Sequence, residues 1–247
     1  MCFKFCEFIL LLMGTILQIR ASTLSLSLVK GKWKERPSLG GMLLSPSVQF
    51  SKLKVTQKVW GAFFLVVFFQ AIVKGISSYA AQNTAEMIEI QKQLGDVQES
   101  MGLMIGKAMG TSFFGALIGT LLVAMIYKVF LMFFGNDTSY KMVLAIIVYA
   151  SIVLIIGDLF NAILTRMFGG NITGYTNLSP LFQQGTLLHG MASAFEVFYL
   201  WYLGLIWMGL RTVAGLSKVK SSIPVVVIFL IQAAFITFGT MMVSKFM

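Results

Sequence analysis

The sequence predicts an all-α integral membrane bundle of five transmembrane helices. Of the 247 residues, 57% are hydrophobic and only 11% are charged, and the mean hydropathy is +0.86. A water-soluble domain of this length has a more polar composition. The apolar residues also fall into five long runs, each of which has about the 20 residues that a helix needs to cross the hydrocarbon core. These runs cover residues 58–80, 111–134, 142–165, 186–210 and 222–243.

The charges beside these runs predict the orientation of the chain. The net charge of +10 does not come from a polar module in which basic and aromatic residues cluster, so nucleic acid is not an expected partner. Lys and Arg gather instead before the first run and between the fourth and fifth runs. Because cytoplasmic flanks carry the excess of Lys and Arg, the N-terminus is predicted to be cytoplasmic and the C-terminus outside.

The first 41 residues fit this topology poorly. Residues 8–19 form an apolar run of the length of a signal peptide. As a signal peptide or as an extra span, this run would export the basic segment that follows it, against the charge rule. A third interpretation is that translation starts later, for example at Met42. Residues 1–41 are therefore predicted to be a disposable segment or a start-site artefact, and both cysteines, Cys2 and Cys6, lie in it.

Residues 42–57 are predicted to form an interfacial basic lead-in to the membrane domain at residues 58–247. Ser45 suits a helix N-cap and Pro46 the first helical position. Lysines interrupt the apolar residues that follow, as in a short helix that lies at the membrane surface and leads to Trp60. The lead-in is expected to anchor the chain to anionic lipid, with a specific lipid site as the alternative.

The connection at residues 82–107 carries apolar residues at spacings of three and four, from Met87 to Met104. This spacing predicts an amphipathic helix that lies on the membrane or packs on the bundle, with partner binding as the alternative.

The second run carries two pairs of small residues at a spacing of four. Such pairs let helix backbones approach closely in a bilayer, so they predict internal helix packing, with homodimerisation as the alternative. Two lysines near the ends of the first and second runs, Lys74 and Lys128, are expected to extend to the nearest interface. The glycine pairs are Gly106 with Gly110 and Gly115 with Gly119.

Polar side chains inside the third and fourth runs are harder to explain. Asp158 and Glu196 lie within these runs, and Glu196 is near the middle, where an ionised carboxylate costs about 2.5 to 3.5 kcal/mol. Asp158 shares a helical stripe with Asn161, and Glu196 lies seven residues after His189. Neighbouring antiparallel spans put the two carboxylates at similar depths. We therefore predict that the two stripes face one another and enclose a wet cavity.

This predicted cluster has two interpretations. In the structural one, hydrogen-bonded carboxylates hold the bundle in register. In the functional one, Asp158, His189 and Glu196 form the proton or cation site of a small-solute or ion permease. The structural interpretation is favoured, because the chain has no evident inverted repeat and five spans do not divide into equal halves.

The third to fifth runs resemble a known family. Residues 134–141, Phe-Gly-Asn-Asp-Thr-Ser-Tyr-Lys, resemble the short loop before the third span of the Yip family, the Rab-interacting membrane proteins of secretory traffic, and of its bacterial relatives. Residues 196–201 are similar to its acidic-x-Phe-x-x-Trp element, with Glu where Asp is more usual. Residues 44–50 look like the opening segment of bacterial members, so the resemblance spans roughly residues 42–243. The motif residues are Glu196, Phe198, Trp201, Gly209 and Lys218.

The resemblance implies a five-span protein with a cytoplasmic N-terminus. Eukaryotic members act as scaffolds through a long cytosolic region, whereas this chain has a short one and resembles bacterial members, which have no Rab partner. A cell (plasma) membrane location follows. The sequence shows no metal-ligand spacing, phosphate loop or nucleophile elbow. The expectation is a scaffold or adaptor that binds the lipid bilayer, other membrane proteins or itself, without catalytic activity, cofactor or metal.

Overall fold

The computed structural model describes residues 36–56, 58–82, 84, 100–169, 174–183 and 185–246, and the regular elements in these ranges are helices. Four of the helical stretches are long and apolar enough to cross a membrane, and a bent pair makes a fifth if it counts as one span. The predicted all-α membrane fold is confirmed, while the orientation of the termini stays a prediction. The helices are α1 (Gly41–Leu44), α2 (Pro46–Thr56), α3 (Trp60–Ala81), α4 (Met101–Phe133), α5 (Tyr140–Ala150), α6 (Ile152–Phe168), α7 (Leu187–Ser193), α8 (Val197–Thr212) and α9 (Lys218–Phe246), with a 3₁₀ turn at Ser179–Leu181.

The second span is longer than its apolar run. Helix α4 begins at Met101, about three turns before residue 111, because the Ser100 side chain caps it by accepting a hydrogen bond from the Leu103 amide. The last part of the predicted amphipathic connection, with Met101 and Met104, therefore belongs to α4. The rest of that connection, at residues 85–99, lies outside the described residues.

The fourth span is broken. Helix α7 ends at Ser193, α8 begins at Val197, and their axes are bent by 51°. Thr186 caps α7 and Glu196 caps α8, each accepting a hydrogen bond from a backbone amide of the first turn. Glu196 therefore lies at a helix terminus and not in mid-helix, and the prediction that it shares a continuous helical face with His189 is wrong.

Helix α5 forms the centre of the bundle. Every residue from Met142 to Ala150 is buried, as expected for a helix that is apolar on all sides. Helix α6 continues this span after a single residue, Ser151, whose hydroxyl donates to the carbonyl of Ile147 at 2.8 Å.

The predicted lead-in helix is present as α2, and its apolar side is packed inside the protein. Phe50 and Leu53 are fully buried, and α2 packs against α8 and α5. Gly209 of α8 permits this approach, because a Cβ there would lie 3.0 Å from the Phe50 ring. The described residues before α2 contact the bundle as well. Met42 is fully buried, and the Ser38 amide donates to Gln49 Oε1 at 3.0 Å. Residues 1–35 of the predicted disposable segment lie outside the described residues.

The two loops nearest α2 are bonded to each other, and we call this end of the bundle the α2 end. Asn136 Nδ2 donates to the carbonyl of Ala214 at 2.8 Å, and Asn136 Oδ1 accepts from the Thr138 amide at 3.0 Å. Lys128, expected to extend to the interface, donates to the Thr138 carbonyl at 2.8 Å. Gly135 has φ of 67°, a backbone conformation that favours glycine.

Helix α4 lies at the edge of the bundle. It packs against α3 and α5, where Gly75 of α3 leaves room for the side chain of Met109. The prediction that its glycine pairs pack against other helices is wrong for the described residues. No described atom lies within 4 Å of a Cβ placed on Gly106, Gly110, Gly115 or Gly119.

Candidate functional site

The two intramembrane carboxylates predicted to face one another lie in different environments. Glu196 belongs to a closed hydrogen-bond network, and Asp158 borders a cavity that Glu196 does not line. The prediction that both carboxylates enclose one wet cavity is therefore wrong in its composition.

The closed network, which we call the Glu196 network, joins three parts of the chain. Glu196 Oε1 accepts from the hydroxyl of Thr176 at 2.6 Å, and Glu196 Oε2 accepts from the amide of Tyr199 at 2.5 Å. The Thr176 hydroxyl in turn accepts from Asn161 Nδ2 at 2.7 Å. Asn161 Oδ1 accepts from the amides of Tyr175, at 2.8 Å, and Thr176, at 3.2 Å. The network thus links α6, the loop after it and the start of α8.

A backbone bond closes the same junction. The Val197 amide donates to the carbonyl of Thr176 at 3.0 Å, and Thr176 itself is buried. Buried polar groups with complete partners hold a structure in one arrangement. The hydrogen bonds of Glu196 therefore suit a structural role, in which they stabilise the junction at the broken span.

Thr176 was not predicted as a site residue. Nothing in the sequence marks it, since a threonine in a polar loop is ordinary and its position becomes special only when the fourth span breaks and brings Glu196 to it. The Asn161 prediction is different, because the helical stripe did place this residue beside the fourth span.

The cavity lies between α4, at the edge of the bundle, and the other spans. It has a volume of about 690 Å³, and all five spans contribute to its wall. The charged residues of its wall are Lys74 of α3 and Asp158 of α6, and both side chains are exposed. Lys74 was expected only to extend to the interface, and the structure gives it a position in this wall. Other polar groups of the wall are Gln70, Thr111, Ser112, Thr120, Tyr127, Ser151, Tyr199, Tyr202 and Gln232.

Two oxygen atoms of the cavity-lining residues have no hydrogen-bond partner among the described residues. They are Gln70 Oε1 and the Tyr127 hydroxyl, and both atoms are buried. A buried polar atom without a partner costs about 1 to 3 kcal/mol. These two atoms are unsatisfied within the described chain, in contrast to the Glu196 network, whereas most of the cavity wall is apolar.

His189 stands apart from both features. It is buried on α7, which packs against α9, and its Nδ1 has no partner in the described part of the chain. It does not border the cavity. Of the four residues of the predicted cluster, Asn161 and Glu196 are joined through Thr176, while Asp158 and His189 lie elsewhere.

One side of the cavity is open between helices. Helix α4 supplies much of the wall but is not packed against α8 or α9 in the described structure, although α8 and α9 supply the wall opposite. Gly115 and Gly119, predicted to pack against a helix, border this space instead.

Comparison with known proteins identifies the family. The family model of the Yip1 domain matches residues 40–241. The chain therefore belongs to the Yip1 family. The protein called "Membrane protein YknW" from Bacillus subtilis (strain 168) is 28% identical over 214 residues, which cover 85% of this chain and 92% of that relative. No solved structure matches the chain.

The motif residues of this Yip1-family chain occupy helix contacts. Glu196 caps α8, and Phe198 lies against Gly157 of α6, where an added Cβ would stand 2.6 Å from the Phe198 side chain. The ring of Phe198 stacks on Trp201 with centroids 6.5 Å apart. The carbonyl of Lys218 accepts from the Trp207 indole at 3.3 Å.

Proposed function

We propose that this Yip1-family protein is a non-catalytic scaffold or adaptor of the plasma membrane. It binds other membrane proteins, or a second copy of itself, through the free side of α4. The plasma-membrane location rests on the resemblance to bacterial members, and the relative from Bacillus subtilis is named only as a membrane protein.

The open side of α4 is the observation that carries this proposal. Gly106, Gly110, Phe114, Ile118 and Leu122 follow one another at a spacing of four, so they form one ridge along the helix. We call it the α4 ridge. Its two glycines meet no described atom within 4 Å, and its three larger side chains are exposed.

A ridge that combines glycines with bulky apolar residues suits a second helix. Lipid tails are as apolar as these side chains, so burial of apolar surface does not drive helices together in a bilayer. Close backbone approach at small residues does, because it adds van der Waals contacts that flexible lipid chains cannot match. The glycines would provide the approach, and Phe114 and Ile118 the surrounding contacts.

The Glu196 network supports the same proposal against a permease that uses Asp158, His189 and Glu196. Both Glu196 oxygens already accept hydrogen bonds, and His189 lies outside the cavity that Asp158 borders. A proton or cation relay needs these groups within reach of one another.

Photocrosslinking in native membranes tests the α4 ridge. A photoreactive residue is placed at Phe114, and the matched control is placed at Leu230, which is exposed on α9. We expect one protein adduct of constant mass from position 114 and none from position 230. An added mass equal to that of the chain would mean self-association, and a different mass another membrane protein.

The substitution Gly110→Leu then tests whether the glycines are part of the contact. A Cβ added at Gly110 meets no described atom within 4 Å, and the leucine side chain would occupy the space that a partner helix needs. We expect the adduct from position 114 to disappear while protein abundance is unchanged, and Gly204→Leu, at an exposed glycine of α8, to leave the adduct intact. Lipid adducts alone from position 114, or an adduct that persists in Gly110→Leu, would contradict the proposal.

A further inference from the structure

The cavity between the five spans has a chemistry that a scaffold does not require. We propose that it is a binding site for one phospholipid with a zwitterionic, amine-bearing headgroup, as in phosphatidylethanolamine. The headgroup binds between Lys74 and Asp158, and the lipid enters through the gap between α4 and α9. This inference is independent of the α4 ridge, so either can fail without the other.

The charged pair selects the headgroup. Lys74 and Asp158 carry opposite charges and border the same space, inside a bundle whose surroundings penalise any unpaired charge. A purely anionic headgroup would pair with Lys74 and meet repulsion from Asp158. A phosphate joined to a primary ammonium satisfies both residues, because the phosphate accepts from the Lys74 ammonium and the headgroup ammonium donates to the Asp158 carboxylate.

The dimensions of the cavity select a lipid over a small soluble zwitterion. The α4 residues of the wall extend from Ala108 to Tyr127, which at 1.5 Å per residue is a length of about 29 Å along the helix. The volume of about 690 Å³ exceeds what a headgroup alone would fill. Apolar residues such as Val123, Leu154 and Ile228 line the space beside the polar groups, and they suit an acyl chain.

The open gap provides the entry. Helix α4 packs against α3 and α5 and is not closely packed against α9, so the side between α4 and α9 is the entry in this proposal. Lys74 and Asp158 are exposed in the wall, so a headgroup that enters there can reach both side chains.

Native mass spectrometry of the purified full-length protein tests the site. The protein in detergent is titrated with phosphatidylethanolamine, with the anionic lipid phosphatidylglycerol, and with soluble phosphoethanolamine. We expect one tightly bound phosphatidylethanolamine per chain and weaker binding of phosphatidylglycerol. Phosphoethanolamine should displace the lipid only at much higher concentration, because it lacks the acyl chains.

Three variants locate the binding. Gly119 borders the cavity, and a Cβ added there meets no described atom within 4 Å. Gly119→Leu should therefore abolish the tight site, whereas Gly204→Leu, outside the wall, should not. Lys74→Gln should weaken both lipids by about tenfold. Asp158→Asn should remove the preference for phosphatidylethanolamine while leaving phosphatidylglycerol bound.

Three results would overturn the proposal. Equal binding of both lipids by the wild-type protein would show that the headgroup ammonium is not recognised. Tight binding that survives Gly119→Leu would place the lipid elsewhere. Displacement by phosphoethanolamine at the same concentration as the lipid would assign the cavity to a soluble zwitterion.

Discussion

The two carboxylates inside the bundle, Glu196 and Asp158, differ in their hydrogen-bond partners and in their exposure to the cavity. Both oxygens of Glu196 accept hydrogen bonds, at 2.6 Å from Thr176 and at 2.5 Å from Tyr199. Asp158 is exposed to a cavity that it shares with Lys74. One carboxylate is enclosed by partners from the chain itself, and the other is placed where a ligand can reach it.

The difference shows that depth in a membrane does not decide the role of an acidic residue. Both residues are costly in hydrocarbon, and the chain offsets this cost in two ways. At Glu196 it breaks a span, so that a helix terminus and a buried threonine supply donors. At Asp158 it leaves a polar space open. The hydrogen bonds at Glu196 should determine stability, and the open space at Asp158 should determine ligand binding. The following substitutions test whether these two roles are separate.

The largest loss of stability is expected from Gly157→Ala. Gly157 lies where α6 packs tightly against α8, which we call the closed side of the bundle, and the cavity side of α4 is the open side. The new Cβ would stand 2.6 Å from the Phe198 side chain at the crossing of α6 and α8. Such overpacking costs about 1 to 3 kcal/mol of unfolding free energy. Thermal unfolding in detergent should show a clear loss. Gly119→Ala, on the open side, meets no described atom and should be neutral or stabilising. Equal losses in both variants would mean that the two sides do not differ in packing.

A somewhat smaller loss is expected from Thr176→Val. Valine keeps the shape but removes the hydroxyl that donates to Glu196 and accepts from Asn161. Two partly buried groups lose a partner, at a cost of about 1 to 3 kcal/mol. Thr111→Val is the matched control, since the Thr111 hydroxyl donates to a carbonyl of its own helix and the residue is exposed. A double-mutant cycle with Glu196→Gln should show coupling between positions 176 and 196, and strict additivity would contradict the network.

The smallest loss is expected at the α2 end, from Asn136→Ala. This change removes the bond to Ala214 and the turn bond to Thr138. Asn136 is only partly buried, so water can replace part of what is lost, and the cost should be about 0.5 to 1.5 kcal/mol. Asp137→Ala, at the exposed neighbour, should change stability by less than about 0.5 kcal/mol. If Asp137→Ala destabilised more than Asn136→Ala, the link between the two loops would not be the stabilising feature.

Hydropathy was sufficient to predict the helical class and the positions of the spans, because a bilayer requires long apolar helices. It did not predict the break between α7 and α8, since Ala194 and Phe195 keep that stretch apolar through the interruption. The early start of α4 was missed for the opposite reason. Its first turns contain Gly102 and Lys107, which lower the hydropathy without ending the helix.

The site was less predictable than the fold, because its residues meet only through tertiary structure. The helical stripe singled out Asn161, which reaches Glu196 only through Thr176, and Thr176 lies in a loop whose course no periodicity describes. Lys74 looked like a lysine near a span end and turned out to share a cavity with Asp158, on a helix far away in sequence. The glycine pairs of α4 predicted close packing, whereas in the described part of the chain no atom lies within 4 Å of a Cβ placed on them.

The most direct measurement compares the stability of Glu196→Gln and Asp158→Asn, two isosteric changes that each remove one carboxylate. In Glu196→Gln the amide group must replace one acceptor oxygen of the network, so we expect a loss of about 1 to 3 kcal/mol in unfolding free energy. In Asp158→Asn we expect a change below about 0.5 kcal/mol, because the Asp158 side chain is exposed to the cavity. Equal losses, or a larger loss in Asp158→Asn, would contradict the claim that Glu196 stabilises the fold while Asp158 belongs to an open binding site.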